Sequence, residues 1–265
     1  YVDSLNGRYI TAEDVGTTVA DMEQVRMETD YVTGISVALG GSGDPSPVTA
    51  MGTYEGMKAG ARRLWGTESL TGRHITVQGV GHVGYYLVQH LAQEGAKITV
   101  TDIDTEKIET VVKEFGVDVC ELDEIYDVQC DIYAPCALGG TINDDTIERI
   151  TCKLIAGSAN NVLGDEEKHG RQLRELGILY CPDYVINAGG LINVANELEG
   201  YNQQRALRQA ATISDIIDRI FAYSDDNNIP TFLAANELAE RRIRRLGKVK
   251  GTYLGPRNRK YRGIC

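Results

Sequence analysis

HITVQGVGHVGYYLVQHLAQEGAKITVTD, residues 74–102, decides how this chain folds. A β-branched opening, Ile75, Thr76 and Val77, runs into Gly79, Gly81 and Gly84, which open an apolar helix that Gly95 ends. The spacing predicts strand, tight turn and helix, the one setting in which G-x-G-x-x-G carries chemistry. Gly79 can take a backbone angle closed to other residues, Gly81 lets the main chain approach a diphosphate, and Gly84 lets helix and strand lie close together. The free N–H groups and the positive end of the helix dipole then face an anion. A second strand ends at Asp102, 21 residues beyond Gly81. A carboxylate there accepts from a ribose 2′-OH and repels a 2′-phosphate, so NAD is expected over NADP. The plain alternative is a strand-to-helix turn without a ligand. The preceding strand, the following helix and the carboxylate together favour the dinucleotide.

Outward from this unit the alternation of strand and helix continues. Asp104 precedes a helical pattern, Ile108, Val111, Val112 and Phe115, that Gly116 closes. Strands are expected at 117–120, 132–135, 154–157 and 178–181, with helices near 143–150 and 165–176. Regular alternation of this kind means right-handed βαβ units on a parallel sheet. The expected fold class is α/β, a doubly wound Rossmann-type sheet of order 3-2-1-4-5-6, with ligands at the carboxyl ends of the strands. Those ends read APCALGG, GSANN and PDYVINAGG, mixing small residues with amides. Asn160 suits a nicotinamide carboxamide, and Asn187 with Gly189 and Gly190 can open the next helix against a ligand. A lone Asn in a loop is more often a turn former, but three such loops at neighbouring strand ends point to a site.

Before the sheet, residues 8–12 read as a short strand running into Glu13, Asp14 and Gly16. Asp14 is either a catalytic carboxylate at a strand end or, with Thr17, a cap for a helix over 21–29. Residues 40–47, GGSGDPSP, have the composition of a hinge. Ser46 and Pro47 then fit the N-cap and first position of a helix reaching Trp65, on which Gly52, Gly56 and Gly60 make a smooth face for close packing. From Tyr201 one long helix is expected, with Leu207, Ala211, Ile217, Ile220 and Phe221 on one side, and Pro230 begins another that reaches about Leu246. The division expected is residues 1–45, a remnant of a second α/β catalytic domain; 46–228, the dinucleotide domain; and 229–265, helices folding back towards the first.

Bulk properties narrow the classes. At 265 residues and 42% hydrophobic content the chain can bury a core. Its 38 acidic against 27 basic residues give a formal net charge of −11, which argues against nucleic acid as a partner. The basic residues gathered from Arg241 to Arg262 then read as a solvated or subunit-facing surface. Six cysteines without a C-x-x-C pair fit buried, reduced thiols in a cytoplasmic protein rather than a metal site. No apolar run is long enough to span a membrane. The chain opens on Tyr1 in mid-pattern, so a preceding segment is expected.

The blocks RYITAEDVGTT, TDYVTGIS, SPVTAMGTYEGMKA, VQGVGHVG, CDIYAPCALGG, IAGSANN and PDYVINAGGLINVANE, in this order, resemble the amino acid dehydrogenase family of glutamate, leucine, phenylalanine and valine dehydrogenases, on its leucine-using side. The likeness runs from Leu5 to about Leu254. It implies reversible, NAD-dependent oxidative deamination of an L-amino acid to its 2-oxo acid and ammonia, in a homo-oligomer. By motif position it implies that Asp14 is the carboxylate exchanging protons with the substrate amine. Gly79, Gly81, His82, Val83, Gly84 and Asp102 match the NAD site, as do Thr49, Ala134, Cys136, Ala159, Asn160 and Asn187. Leu191 and Val194 match positions lining the side-chain pocket. Both are apolar, which would leave a charged substrate side chain unpaired, so a branched aliphatic amino acid, L-leucine first, is expected over glutamate. Relatives preferring valine, phenylalanine or tryptophan are the near alternatives. The resemblance also implies a glycine-rich block with two lysines before this region, one for the substrate carboxylate and one activating water. Residues 1–265 do not contain it, and Lys58 matches neither lysine. NAD binding with little turnover, as an inactive remnant, is expected of these residues alone, and ordinary activity of a longer chain carrying the block.

Overall fold

The computed structural model describes residues 1–14 and 16–247. Its centre is a six-stranded, wholly parallel sheet of order β3-β2-β1-β4-β5-β6, the order that the alternating pattern predicts. In chain order the elements are α1 (Val19–Glu28), α2 (Ser46–Trp65), β1 (His74–Gln78), α3 (His82–Glu94), β2 (Lys97–Thr101), α4 (Thr105–Phe115), β3 (Asp118–Val119), β4 (Ile132–Pro135) and β5 (Leu154–Ile155). Then follow α5 (Glu166–Glu175), β6 (Leu179–Tyr180), α6 (Asp183–Ile186), α7 (Gly189–Glu197), α8 (Gln203–Ala211), α9 (Ile213–Asn227) and α10 (Thr231–Gly247). Ile75 and Val77 of β1 pair with Ile98 and Val100 on one side and with Ile132 and Ala134 on the other. All six are buried, as strands covered by helices on both faces require.

The glycine face of α2 packs closely on two helices and one strand. A Cβ on Gly52 would lie 2.5 Å from Ile213 Cδ1, one on Gly56 2.5 Å from Ile186 Cγ1, and one on Gly60 2.5 Å from Leu154 Cδ2. The missing side chains bring α2 down onto α9, α6 and β5. Arg62 then donates to Asp218 on α9 at 2.8 Å.

Several sequence expectations change in detail. Residues 143–150 form turns, not a helix. The Asn143 side chain accepts from Asp145 N at 2.9 Å and donates to the Gly140 carbonyl at 2.8 Å, and Thr146 Oγ1 accepts from Asn143 N at 3.0 Å. Side-chain bonds of this kind compete with the helical ladder. The stretch 8–12 is no strand but a single parallel bridge, Thr11 to Val32. Neither Asp14 nor Thr17 caps α1: Thr18 does, in a capping box with Asp21. At α2 the N-cap is Pro45, without a side-chain cap bond, and Ser46 is the first helical residue, its amide donating to Asp44 Oδ1 at 2.9 Å. The long helix after Tyr201 breaks at Thr212, whose hydroxyl donates to the Gln209 carbonyl at 2.7 Å. Ile213 is thereby turned onto Gly52.

α10 packs against α9, α5 and β6, burying Phe232, Ala234 and Ala235. Its Arg241 and Arg244 are exposed and meet Tyr223 and Glu240, a solvated surface. The other basic residues of the tail lie outside the described residues. No helix among the described residues is long and apolar enough to cross a membrane.

Four surface carboxyls are held below their ordinary range by partners in the fold: Asp21 by Thr18, Asp104 by Lys107, Asp127 by Arg149, and Asp144 by Lys168 and His169. A carboxyl whose folded-state pKa is depressed favours the fold while ionised. That contribution is complete above the unfolded value, about pH 4, and is lost as pH falls through the lower folded values. Urea midpoints should therefore fall between about pH 4 and pH 2, and a midpoint flat across that window would contradict the assignment.

Candidate active site

The loop from β1 to α3 is built from backbone. Gly79 sits at φ 99°, and a Cβ there would lie 2.9 Å from Ala137 N, in the loop after β4. Its own N–H donates to the Thr101 carbonyl at 2.8 Å, and the next N–H, of Val80, donates to Asp102 Oδ2 at 2.7 Å. Asp102 Oδ1 accepts from Asp104 N at 2.9 Å. Each Asp102 oxygen thus has one amide partner, and each retains a second lone pair for a hydroxyl. Gly84 is buried against the loop, where a Cβ would meet Gly79 O at 2.1 Å.

The start of α3 carries no side-chain cap, as is also true of α2, α6, α7 and α9. Thr18, Asp104, Asp165 and Asn202 cap α1, α4, α5 and α8 with side-chain oxygens, whereas Gly81 at α3 offers none. The first-turn amides of α3 are left as donors. A Cβ on Gly81 would meet nothing within 4 Å. This space opens into a cleft of about 210 Å³ lined by Val80, Gly81, His82, Asp44 and Lys107. Donor amides, open space and a fixed carboxylate one strand away fit a dinucleotide.

The other strand ends gather beside this loop. Cys136 N donates to the Gln78 carbonyl at 2.7 Å, and burial raises the Cys136 thiol above its ordinary range. Ala159 N donates to Pro135 O at 2.9 Å. Asn187 Nδ2 donates to Asn160 Oδ1 and, at 3.3 Å, to the Ser158 carbonyl, so the two predicted amides meet. Thr49, near the start of α2, lies against the start of α7: a Cβ on Gly190 would be 3.0 Å from Thr49 Oγ1. Val83 is half-buried and His82 exposed. Ala134 is wholly buried within β4, paired with Val77.

On α7, Leu191 is 72% exposed while Val194 is half-buried. Asp14 is exposed, in a turn closed by Thr17, whose hydroxyl accepts from Asp14 N at 2.9 Å and donates to Asp14 O at 2.7 Å. Its neighbour Glu13 has a buried Oε2 without a hydrogen-bond partner among the described residues. Burial pushes the Glu13 carboxyl up, Asp44 and Asp21 add to this, and His82 opposes it.

Sequence reasoning missed four of the groups that shape this region. Asp44 and Lys107 line the cleft. Asp183 steadies the Asn160 loop by accepting from Val162 N at 2.8 Å. Glu197 accepts two amides of the N-terminal segment. Only Asp44, an Asp-Pro beside a helix start, had a local signal.

The family model described as Glutamate/Leucine/Phenylalanine/Valine dehydrogenase matches residues 40–125 and 100–251. The chain belongs to that family. Within the amino acid dehydrogenases it is 57% identical over 254 residues to the leucine dehydrogenase of Thermoactinomyces intermedius, an alignment covering 96% of this chain and 69% of that one. Against the phenylalanine dehydrogenase of Bacillus thermotolerans identity is 46% over 260 residues, covering 96% of this chain and 68% of that one. The crystal structure of L-tryptophan dehydrogenase from Nostoc punctiforme superposes with a TM-score of 0.83 at 43% identity, over 93% of this chain and 70% of that one.

Gly81→Ala separates fold from binding. The methyl enters open space, so stability should stay within about 0.5 kcal/mol of the parent. Dinucleotide affinity should fall about tenfold or more as the approach to the α3 amides is obstructed. Fluorescence titration with NADH beside a urea melt reads both, and unchanged affinity would remove this loop from the site.

Proposed function

We propose that this protein is an NAD-dependent amino acid dehydrogenase that reversibly converts a branched-chain L-amino acid, L-leucine first, to its 2-oxo acid and ammonia. The observation that carries the reading is 57% identity to a leucine dehydrogenase across 96% of the chain, together with the uncapped glycine loop and Asp102. NAD, bound there, supplies the acceptor for hydride leaving the substrate α-carbon. The amides opening α3 hold the diphosphate, and Asp102 accepts from the adenosine ribose while repelling a 2′-phosphate. With its oxygen engaged by Asn187, Asn160 keeps its NH2 group to orient the carboxamide of the nicotinamide, beside Thr49. Asp14 exchanges a proton with the substrate nitrogen as it leaves, a task for a carboxylate next to the reacting atom. Leu191 and Val194 present apolar surface to the substrate side chain, where a carboxylate would stay unpaired.

The same reading divides the chain into residues 1–45, part of a catalytic domain, the dinucleotide domain from 46 to 228, and a C-terminal helical segment. Self-association is proposed for the N-terminal part. Its own core is Met22, Val32 and Ile35, while Met27, Val37 and Leu39 stand more than half exposed. A cytoplasmic setting accords with the unpaired state of Cys120, Cys130, Cys136, Cys152 and Cys181.

The deciding assay follows NADH formation with L-leucine, L-valine, L-phenylalanine and L-glutamate. L-leucine should give the highest kcat/KM, and L-glutamate as best substrate would overturn the pocket assignment. Asp102→Ala should narrow the preference for NAD over NADP by about tenfold or more, as a lost charge repulsion of this kind is worth roughly 1.4 kcal/mol. An unaltered ratio would take the carboxylate out of the account.

A further inference from the structure

Glu197, the last residue of α7, crosses to the N-terminal segment. Its Oε2 accepts the backbone N–H of Gly34 and of Ser42, both at 2.9 Å. These two amides stand 163 and 155 residues away in sequence and bracket the stretch that leads from the N-terminal segment to α2. One ionised oxygen accepting two amides is a charge-assisted arrangement with a defined geometry. Glu197 itself is half-buried and Ser42 is 4% exposed, so water competes weakly for the contact.

What Gly34 touches gives the clasp its meaning. Gly34 is at φ 84°, and a Cβ there would lie 3.4 Å from Glu13 Cβ and 3.5 Å from Glu13 N. The backbone that Glu197 grips is therefore packed against the residue preceding Asp14. Thr33, next to Gly34, donates its N–H to the Thr11 carbonyl at 2.9 Å and locks the same two strands of chain together. At the other end, Val194 is one helical turn before Glu197 on α7. We infer that Glu197 is a positioning residue: through Gly34 and Ser42 it sets the distance between the Asp14 segment and the α7 surface carrying Leu191 and Val194. This rests on the dehydrogenase reading, in which a proton-exchanging carboxylate and a side-chain pocket must meet one substrate. Neither of the two amides that Glu197 accepts belongs to the loop that opens α3.

The test compares Glu197→Ala and Glu197→Gln in the full chain. In the alanine variant kcat for the amino acid should fall about tenfold or more and KM should rise, because misplacement by an ångström is enough to cost this much. NADH affinity, read by fluorescence, should stay within about twofold, since the α3 loop is untouched. Glutamine keeps a carbonyl oxygen at the same reach, so it should recover most of the lost kcat. Hydrogen exchange at the Gly34 and Ser42 amides should be about tenfold faster in the alanine variant than in the parent. Equal loss of kcat and NADH affinity would make Glu197 merely structural and overturn the proposal, as would faster exchange with unaltered kinetics. If the alanine variant does not fold, the glutamine variant decides: retained kcat with protected amides supports the clasp, and parental kinetics with unprotected amides overturns it. A parent inactive towards every amino acid would defeat the dehydrogenase reading and with it the positioning role, while exchange would still report separately whether the clasp exists.

Discussion

The close packing of neighbours onto one helix face that carries no side chains is the constraint on which this structure depends. On α2 the three glycines spaced by four residues admit Ile213, Ile186 and Leu154 to the helix backbone. α2 consequently touches β5, α6 and α9 along one face, and α7 and α8 pack on it as well. Close-packed interiors transmit position, so the start of α2, with Thr49, is held against the start of α7. The dinucleotide loop, the Asn160–Asn187 pair and α7 converge because one smooth helix is their common support.

The candidate site uses main chain where a charged ligand needs donors. No side-chain oxygen caps the positive end of α3, and a Cβ on Gly81 there would meet nothing within 4 Å. Asp102 does two things with one carboxylate. One oxygen accepts from Val80 N and the other from Asp104 N, fastening the loop at the end of β2.

What the sequence disclosed follows the range of the forces involved. The strand order, the glycine loop, Asp102, the cap at Asp104 and the glycine face of α2 were legible because each is written in periodicity or in a residue type with one physical use. Residues 143–150 misled because their apolar spacing is helical, while Asn143 and Thr146 direct their hydrogen bonds to local main chain. The break at Thr212 was hidden for a related reason, a single hydroxyl turned back on the helix. Glu197 and Asp183 carried no local signal at all, since their partners are distant in the chain and become neighbours only after folding.

The margins of the sheet are short and occupied. β3 and β6, the outermost strands, have two residues each. On the β6 side the hydroxyl of Thr231, at the head of α10, donates to the Tyr180 carbonyl at 2.7 Å. An edge so brief, with an outward acceptor already taken, offers almost no template for the strand of another molecule. Copies of this protein would thus meet through side-chain surfaces rather than by extending one another's sheets, which guards a parallel sheet against fibrous aggregation.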